Sequence, residues 1–267
     1  MRELCAVVLA AGEGRRLRPL TELLPKPLCP VDGVPLLDRT LGRLAAVGLA
    51  GPDRVAVNAC YLADEIAAHL ADRVRVSVEP PPAFGTGGGV AYLRDWIDGR
   101  DVLVCNADGY LAGGAPYESL LADRADHPRL LVVRDERRGD FPTAGPRTWR
   151  FAGASLAPWP LVAALPTGAS ELNVRWRRAE ADGRLDLVPY DGVFVDCGTP
   201  ADYLAANLHA SGGASVVGAG ATVAGTLTRS VVWPGATVAA GEHLTDAVRA
   251  TRPDGTPLTV YAADRRT

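Results

Sequence analysis

The sequence Leu9-Ala-Ala-Gly-Glu-Gly-Arg-Arg-Leu-Arg-Pro-Leu-Thr21, together with Pro25-Lys-Pro-Leu28, decides how the rest of the chain is interpreted. It follows the apolar run 4–9, which has the composition of a buried strand. Glycine allows the backbone to approach a ligand closely, and backbone N–H groups that follow a strand bind anions. Arg16 and Lys26 add positive charge for phosphate oxygens. This stretch therefore predicts a nucleotide-phosphate site.

Two common phosphate-binding motifs do not fit this loop. The Walker A pattern fails because no Gly-Lys-Ser/Thr follows the glycines, and the dinucleotide fingerprint fails because Leu17 stands at its third glycine position. A glycine loop after a strand can also be only a tight turn. The loop alone therefore does not identify a nucleotide class.

Length and composition set wide limits on function. The 267 residues suffice for one large domain and a small one, and the net charge of -3 argues against bulk binding of nucleic acid. The chain contains no apolar run of the roughly 18 residues that span a bilayer, so we expect no membrane segment. Five scattered cysteines without a Cys-X-X-Cys pair argue against a disulfide framework or a zinc site. A reduced cytoplasmic location is the simplest expectation.

The chain alternates between strand-like and helix-like segments, which predicts βαβ units and a parallel sheet. Strands are predicted at 4–9, 54–58, 74–78, 102–105, 130–133, 149–156 and 193–196, and helices at 36–47, 61–70, 90–97, 158–165, 170–181 and 200–208. Thr199 is predicted to cap the last of these helices.

Two aspartates follow predicted strands, and a second glycine-rich loop precedes a helix. Asp108 comes after the strand at 102–105, and Asp196 ends the strand at 193–196. If the sheet is parallel, both carboxylates and the phosphate loop lie at one edge, where they predict a Mg²⁺ site. Gly85–Gly89 offers backbone N–H groups to a ligand. The alternatives are that each aspartate only caps a helix and that the glycines are only a flexible entry to one.

From Ser211 onward the sequence becomes rich in glycine and alanine. Aliphatic residues recur here, several of them six apart: Val217, Val223, Val232, Val238 and Leu244. A six-residue repeat predicts about two coils of a parallel β-helix, with a generic β-meander as the alternative. We therefore expect a catalytic domain at 1–210, a β-helix at 211–250 and a tail at 251–267.

Four motifs in order resemble those of sugar-1-phosphate nucleotidylyltransferases. They are the opening stretch with 25–28, Gly85-Thr-Gly-Gly-Gly89, Asn106-Ala-Asp108 and Val195-Asp-Cys-Gly-Thr199. The resemblance implies a Rossmann-like α/β domain, with a mostly parallel sheet and helices on both faces, and a short left-handed β-helix. The catalytic part looks nearest to N-acetylmuramate-1-phosphate uridylyltransferases and mannose-1-phosphate guanylyltransferases. The resemblance also implies a reaction in which an NTP and a sugar 1-phosphate give an NDP-sugar and pyrophosphate.

The resemblance also implies roles for particular residues. Arg16 and Lys26 would be catalytic, and Asp108 and Asp196 would hold Mg²⁺. Nucleotide binding would fall to Leu9, Ala10, Ala11, Gly12, Gly14, Arg15, Glu79, Gly85, Thr86 and Asn106. Gly139, Gly153 and Glu171 stand where the family contacts the sugar.

This chain departs from the family pattern in two ways that bear on substrate. Arg15 stands where Thr, Ser or Glu is usual, and no Glu-Lys-Pro motif supplies a sugar-binding lysine between 140 and 153. The terminal hexads favour GTP and mannose 1-phosphate, whereas the double alanine of the opening loop is common among UTP users. A cyclitol or heptose phosphate would share the mechanism. A catalytically weak nucleotide-sugar sensor is the alternative from another class, and a homo-oligomer is possible.

Overall fold

The computed structural model describes residues 2–135, 139–142 and 148–262. Packing divides the chain into two compact units. We call Met1–Gly12, Thr40–Ala107 and Gly113–Phe194 the sheet unit, and Glu13–Arg39, Asp108–Ala112 and Val195–Thr267 the coil unit. The chain passes from one unit to the other five times, so these bounds differ from the domains expected at 1–210, 211–250 and 251–267, which stay a sequence-based prediction.

The helices and strands follow the predicted alternation closely. The α-helices are α1 Leu20–Leu23, α2 Leu36–Ala46, α3 Ala63–Leu70, α4 Gly85–Tyr92, α5 Arg94–Ile97, α6 Pro116–Leu121, α7 Trp159–Ala163, α8 Leu172–Ala181 and α9 Pro200–Ala210. The strands of the first two hundred residues are β1 Leu4–Leu9, β2 Pro30–Val31, β3 Val34–Pro35, β4 Val55–Ala59, β5 Arg75–Val78, β6 Asp101–Asn106, β7 Gly109–Ala112, β8 Arg129–Arg134, β9 Phe141–Pro142, β10 Thr148–Ala157, β11 Asp186–Pro189 and β12 Val193–Asp196. The short strands that follow are β13 Val216–Val217, β14 Thr222–Val223, β15 Thr226–Thr228, β16 Val231–Val232, β17 Thr237–Val238, β18 His243–Thr245, β19 Ala247–Thr251 and β20 Pro257–Tyr261.

A mostly parallel sheet forms the centre of the sheet unit. Its strand order is β11-β8-β10-β6-β1-β4-β5, with β9 paired to β10. β1 runs parallel to β4 and β6, and β4 runs parallel to β5, whereas β10 is antiparallel to both β6 and β8. Val7 and Val8 of β1 are fully buried, as a central parallel strand requires. The predicted mixed α/β fold with a parallel core is therefore confirmed.

β12 does not belong to this sheet, which corrects one step of the sequence argument. It pairs instead with β7 in a two-stranded sheet. Asp196 therefore does not reach its place as the end of a strand in the parallel sheet. The expectation that one sheet edge gathers both aspartates was wrong for Asp196, because a short strand can also pair with the hairpin-like segment that follows Asp108.

The last fifty residues form short strands that pair in parallel. Val216 pairs with Val231, Thr222 with Thr237 and Leu227 with Leu244. These short strands thus pair in parallel, whereas the left-handed β-helix stays a prediction. Val232, Val238 and Leu244 are buried, but Val217 is exposed because its neighbour Val216 takes the inward position.

The segment expected to be a loose tail is paired up to Tyr261. β20 lies antiparallel to β19, and Leu258 and Val260 are buried in the core of the coil unit. The sequence 257–261 alternates in the way that is typical of a strand, and the structure places β20 there. Residues 263–267 lie outside the described part of the chain.

The cysteines are reduced and mostly buried. Burial raises the pKa of the Cys5 thiol to about 11 and that of the Cys105 thiol to about 12, so both are neutral core residues. Among the described residues, none of the helices is long and apolar enough to cross a membrane. The cytoplasmic location and the homo-oligomer stay predictions.

Helix α9 is fixed inside the coil unit by its cap and by a buried tyrosine. Thr199 accepts a hydrogen bond from the backbone N–H of Asp202, which confirms the predicted cap. The Tyr203 hydroxyl donates to the carbonyl of Pro30 and accepts a 3.0 Å bond from Nε1 of Trp233. This one hydroxyl therefore connects α9 to Trp233 and to the first residue of strand β2.

Replacing Tyr203→Phe tests that arrangement. We expect the free energy of unfolding to fall by about 1–3 kcal/mol, because a buried carbonyl and a buried indole N–H lose their partner. Urea unfolding measures the change. Tyr261→Phe, at a position with 44% exposure, is the control and should stay within about 0.5 kcal/mol of wild type. A Tyr203→Phe loss no larger than that of the control would contradict the account.

Candidate active site

A buried lysine brings two aspartates together in the coil unit. Lys26 is only 4% exposed, and its Nζ donates to Oδ2 of Asp108 at 2.8 Å and to Oδ1 of Asp196 at 3.4 Å. It lies in a short 3₁₀ turn, Lys26–Leu28, which the flanking prolines favour by fixing the backbone. Residues that are 82 and 170 positions away from Lys26 thus meet at one ammonium group.

Opposing effects set the charge state of Lys26. Its burial, the largest effect, would lower the pKa, because desolvation disfavours the charged form. The carboxylates of Asp108 and Asp196 outweigh that effect and raise the pKa above its usual value. Lys26 is therefore a charged ammonium at neutral pH.

Arg16 extends the cluster towards solvent. Its Nη2 lies 3.5 Å from Oδ2 of Asp196, and its side chain is largely exposed. Gly198 permits this approach, since a Cβ there would lie 2.7 Å from the same Nη2. Arg16 and Lys26 hence contact the same carboxylate, with Arg16 as the accessible cation.

Gly14 is required by packing in the loop that carries these arginines. It has a φ of +62°, and a Cβ would lie 2.9 Å from Cγ2 of Thr21 and 3.1 Å from Cβ of Lys26. The Thr21 hydroxyl donates to its carbonyl at 3.0 Å. The absence of a side chain at Gly14 thus allows the backbone of this loop to pack directly against the Lys26 side chain.

Arg15 has a carboxylate partner of its own. Its Nε and Nη2 each donate to Glu13 at 2.7 Å, in a bidentate pair. These hydrogen bonds raise the pKa of Arg15 and lower that of Glu13. The residue at the unusual motif position is therefore oriented by Glu13 and exposed to solvent.

The residues expected to bind Mg²⁺ form a partial oxygen site. Asp108 and Asp196 already share one cation, the Lys26 ammonium. No group of three or more His, Cys, Asp or Glu side chains placed to hold a metal occurs within the described residues. Two carboxylates suit Mg²⁺ when substrate phosphates and water supply the remaining ligands, so the donor set fits that ion.

In the sheet unit, Glu79 connects the opening loop to helix α4. The Ala10 N–H donates to Asn58 Oδ1 at 2.7 Å, and Asn58 Nδ2 donates to Glu79 Oε1 at 2.6 Å. The other oxygen of Glu79 accepts from the Phe84 N–H at 2.8 Å. Glu79 and Asn58 are both nearly fully buried. The Glu79 carboxylate therefore holds the backbone at Phe84 directly and the backbone at Ala10 through Asn58.

The Gly85–Gly89 run is the first part of helix α4 and packs against Ser170. The N–H groups of Gly87 and Gly88 donate to the Ser170 carbonyl at 2.9 and 3.1 Å. A Cβ at Gly87 would lie 2.7 Å from Ser170 Oγ. The expectation that this run presents its N–H groups to a ligand was therefore wrong for these two residues, because a protein carbonyl accepts them.

Thr86 and Glu171 border a cavity in the sheet unit. The Thr86 hydroxyl donates to Glu171 Oε2 at 2.6 Å and accepts from the Leu172 N–H at 2.8 Å. Both residues line a cavity of about 280 Å³, as do Leu9 and Asn106. The structure thus brings together three of the residues predicted to bind nucleotide and one predicted to bind sugar.

Two buried polar atoms near this cavity have no partner among the described residues. They are Ser155 Oγ and Trp176 Nε1, and both residues are cavity-lining. Phe151 packs on Trp176 with ring centres 4.7 Å apart. An apolar wall with such donors is typical of a site for a hydroxylated ligand.

For the remaining predicted site residues, the structure gives the backbone conformation and exposure. Gly153 has a φ of +79° and lies near Asn106, with which a Cβ would be in ordinary contact. Ala11 is half-buried, and Gly12 and Gly139 are exposed. Gly85 has a φ of +75°, and a Cβ there would lie 2.5 Å from Glu171 Oε1.

Residues 6–252 match the MobA-like NTP transferase domain. The chain belongs to this family. The chain is 32% identical over 231 residues to N-acetylmuramate alpha-1-phosphate uridylyltransferase of Caulobacter vibrioides, in a match that covers 75% of this chain and 94% of that protein. It is 36% identical over 150 residues to mannose-1-phosphate guanylyltransferase of Mycobacterium tuberculosis, covering 52% and 40% of the two chains.

A solved structure agrees with the fold of this chain along most of its length. It is described as mannose-1-phosphate geranyltransferase from Thermus thermophilus, with a TM-score of 0.70, 23% identity, and coverage of 97% of this chain and 95% of that one. That likeness concerns the fold, whereas the family match and the Caulobacter relative confirm the resemblance stated from the motifs. The family and its relatives support a sugar-1-phosphate nucleotidyltransferase.

Sequence reasoning missed several residues that shape the candidate site. Asn58 is the last residue of the strand predicted at 54–58, as Asp196 is of the strand at 193–196, so its position at a strand end was a usable signal. Ser170 acts through its backbone carbonyl, and that role leaves no mark on residue type. Ser155 and Trp176 lie within predicted elements, where they read as ordinary core residues.

Helix α4 is closely packed at Gly88, and this packing gives a stability prediction. A Cβ at Gly88 would lie 2.6 Å from Phe84 Cβ and even closer to the Gly168 carbonyl. We expect Gly88→Ala to lower the free energy of unfolding by about 2 kcal/mol or more, because neither backbone nor side chain can move away. Denaturant unfolding measures the difference.

Gly42→Ala is the matched control. Gly42 also lies in a helix, α2, but nothing lies within 4 Å of its Cβ position. Alanine there should stabilise the protein by about 0.5–1 kcal/mol, because it restricts the unfolded chain. If both variants are stabilised alike, helix α4 is not packed as described.

Proposed function

We propose that this protein transfers a nucleoside monophosphate from an NTP to a sugar 1-phosphate and releases pyrophosphate. The observation that carries the proposal is the cluster of Lys26, Arg16, Asp108 and Asp196, in which two cations and two carboxylates meet. No protein nucleophile is needed, because the sugar phosphate itself supplies the attacking oxygen. Positioning and charge neutralisation are then sufficient for catalysis.

The bonds and charges of the transfer balance without a further reactant. An oxygen of the sugar phosphate bonds to the α-phosphorus of the NTP, and the bond from that phosphorus to the β-phosphate bridging oxygen breaks. The leaving pyrophosphate carries away the negative charge, which Arg16 stabilises from its exposed position. Lys26 neutralises charge on the α-phosphate and the incoming phosphate, because its ammonium remains protonated.

Asp108 and Asp196 would hold Mg²⁺ in this proposal. The metal supplies charge neutralisation and orientation of phosphate oxygens when it is bound. Lys26 meanwhile holds the two carboxylates close to each other, so the oxygen ligands are gathered before a metal binds. The fit of the donor set supports this assignment.

The cavity of the sheet unit is our candidate for substrate recognition. Glu171 and Asn106 offer polar groups there, and the unpartnered Ser155 Oγ and Trp176 Nε1 would bond with hydroxyl or acyl oxygens. We assign nucleotide contacts to the opening loop, including Ala11 and Gly12. Gly153 and Gly139 remain candidates for sugar contact on the resemblance alone.

Two substrate pairs have support. GTP with mannose 1-phosphate is favoured by the terminal repeats and by the mannose-1-phosphate guanylyltransferase relative. UTP with N-acetylmuramate 1-phosphate is favoured by the Caulobacter relative, 94% of which is covered by the match. We put GTP and mannose 1-phosphate first and test both.

Asp108→Asn and Asp196→Asn should each lower kcat by about 100-fold or more, because a neutral amide binds a divalent cation weakly. Steady-state rates at saturating Mg²⁺ measure this, with circular dichroism to show that the fold persists. Asp72→Asn, at an exposed carboxylate, is the control and should leave kcat unchanged. Near-normal activity in both site variants would overturn the metal assignment.

A pyrophosphate-release screen tests the reaction itself. ATP, CTP, GTP, UTP and dTTP are each paired with sugar 1-phosphates that include mannose and N-acetylmuramate. We expect one NTP to give release that depends on the sugar phosphate. Binding of an NDP-sugar without release for any pair would instead identify a nucleotide-sugar sensor.

A further inference from the structure

A second cavity, in the coil unit, is lined by arginine. It measures about 630 Å³, and its lining includes Arg15, Arg16, Arg18 and Arg252. Within the described part of the chain no acidic residue lines it; the other lining residues are Pro19, Pro200, Thr259 and Val260. Its volume lies in the range of small-molecule sites, and its charge selects an anion.

One carboxylate outside the lining orients two of these arginines. Glu13 accepts both bonds from Arg15 and a 3.1 Å bond from Nη2 of Arg18. Glu22 lies 3.9 Å from Nε of Arg18. Both guanidinium groups therefore have their positions restricted, while Nη1 of each has no hydrogen-bond partner among the described residues. Such preorganisation lowers the entropy lost on binding an anion.

Arg252 comes from the far end of the sequence. It stands in the turn between β19 and β20, where its Nη1 donates to the Pro257 carbonyl at 2.8 Å and to the Thr256 hydroxyl at 3.4 Å. Asp254, in the same turn, is bonded by the N–H and hydroxyl of Thr256. The turn thus fixes Arg252, and its Nη2 and Nε remain for a ligand.

The start of helix α9 adds to the attraction for anions. Pro200, the first residue of this 11-residue helix, lines the same cavity. The aligned peptide dipoles of a helix place partial positive charge at that end. Four guanidinium groups and a helix end are more than one phosphate monoester can engage, whereas two linked phosphoryl groups present enough oxygens.

The proposed function already places the leaving pyrophosphate at Arg16; we propose that Arg252, supplied by the last β-hairpin and lining the same cavity, is a further pyrophosphate-binding residue. The four arginines hold the two phosphoryl groups, with Arg16 shared with the catalytic cluster. The choice of pyrophosphate rests on the proposed function, but the preference for linked phosphates rests on the arginines. The C-terminal strands then contribute directly to ligand binding.

Binding of inorganic pyrophosphate to the intact protein, without metal or NTP, tests the site apart from turnover. Isothermal titration should show binding that weakens as salt is raised, because screening acts on exposed charges. Arg252→Gln should weaken it about tenfold, and Arg252→Lys less, since lysine keeps the charge and loses the planar fork. Melting temperatures would show that the variants fold.

Arg229→Gln is the matched control. Arg229 belongs to the same unit and pairs with Asp246, but it does not line the cavity. Loss of its charge should change pyrophosphate affinity less than twofold. Equal weakening in Arg229→Gln and Arg252→Gln would show a mere net-charge effect and would overturn the site, as would the absence of pyrophosphate binding to wild type at millimolar concentration.

Product inhibition decides which polyphosphate the cavity serves. In the transfer assay, the inhibition constant of pyrophosphate should rise in Arg252→Gln by the same factor as its dissociation constant. A weaker direct affinity with unchanged inhibition would overturn the assignment to the released product. If no NTP supports transfer, the proposed function fails while the binding experiment still reports on the site.

Discussion

The charged contact of Lys26 with Asp108 and Asp196 is the constraint on which the coil unit depends. An ammonium taken out of water costs several kcal/mol unless it is paired and hydrogen-bonded. Here two carboxylates compensate one ammonium, and they come from segments 82 and 170 residues away. The Pro25–Leu28 turn, the segment after β6 and the end of β12 must therefore adopt their positions together.

The same contact prepares the chemistry. Carboxylates that would repel each other are held close by the lysine, and Arg16 contacts one of them from the solvent side. The charged groups are thus oriented by one another before substrate binds, and such preorganisation lowers the reorganisation that a reaction requires. The arginine cavity is preorganised in the same way. Glu13 orients Arg15, and the carbonyl of Pro257 orients Arg252, and neither of these acceptor residues lines the cavity.

Features encoded by local pattern were predictable from the sequence, and those set by distant backbone were not. The strand at 4–9 and the Thr199 cap follow from periodicity and residue type. Asp196 was expected at the edge of the parallel sheet, but strand pairing is chosen by tertiary packing, which residue type does not report. The glycines of helix α4 face the carbonyl of Ser170, a group that every residue type carries. The strand-end position of Asn58 could be predicted from the sequence, but its hydrogen bond to the buried Glu79 could not.

Direct titration of Lys26 tests this account most sharply. The side-chain ¹⁵Nζ signal of Lys26 can be followed by NMR over alkaline pH in wild type and in Asp108→Asn. We expect the pKa of Lys26 in wild type to lie above that of an ordinary lysine, because the two carboxylates outweigh the effect of burial. In Asp108→Asn the pKa of Lys26 should fall, because only the Asp196 carboxylate then remains to offset the effect of burial. A wild-type pKa below the ordinary value, or one that Asp108→Asn does not change, would contradict the claim that this shared ammonium organises the site.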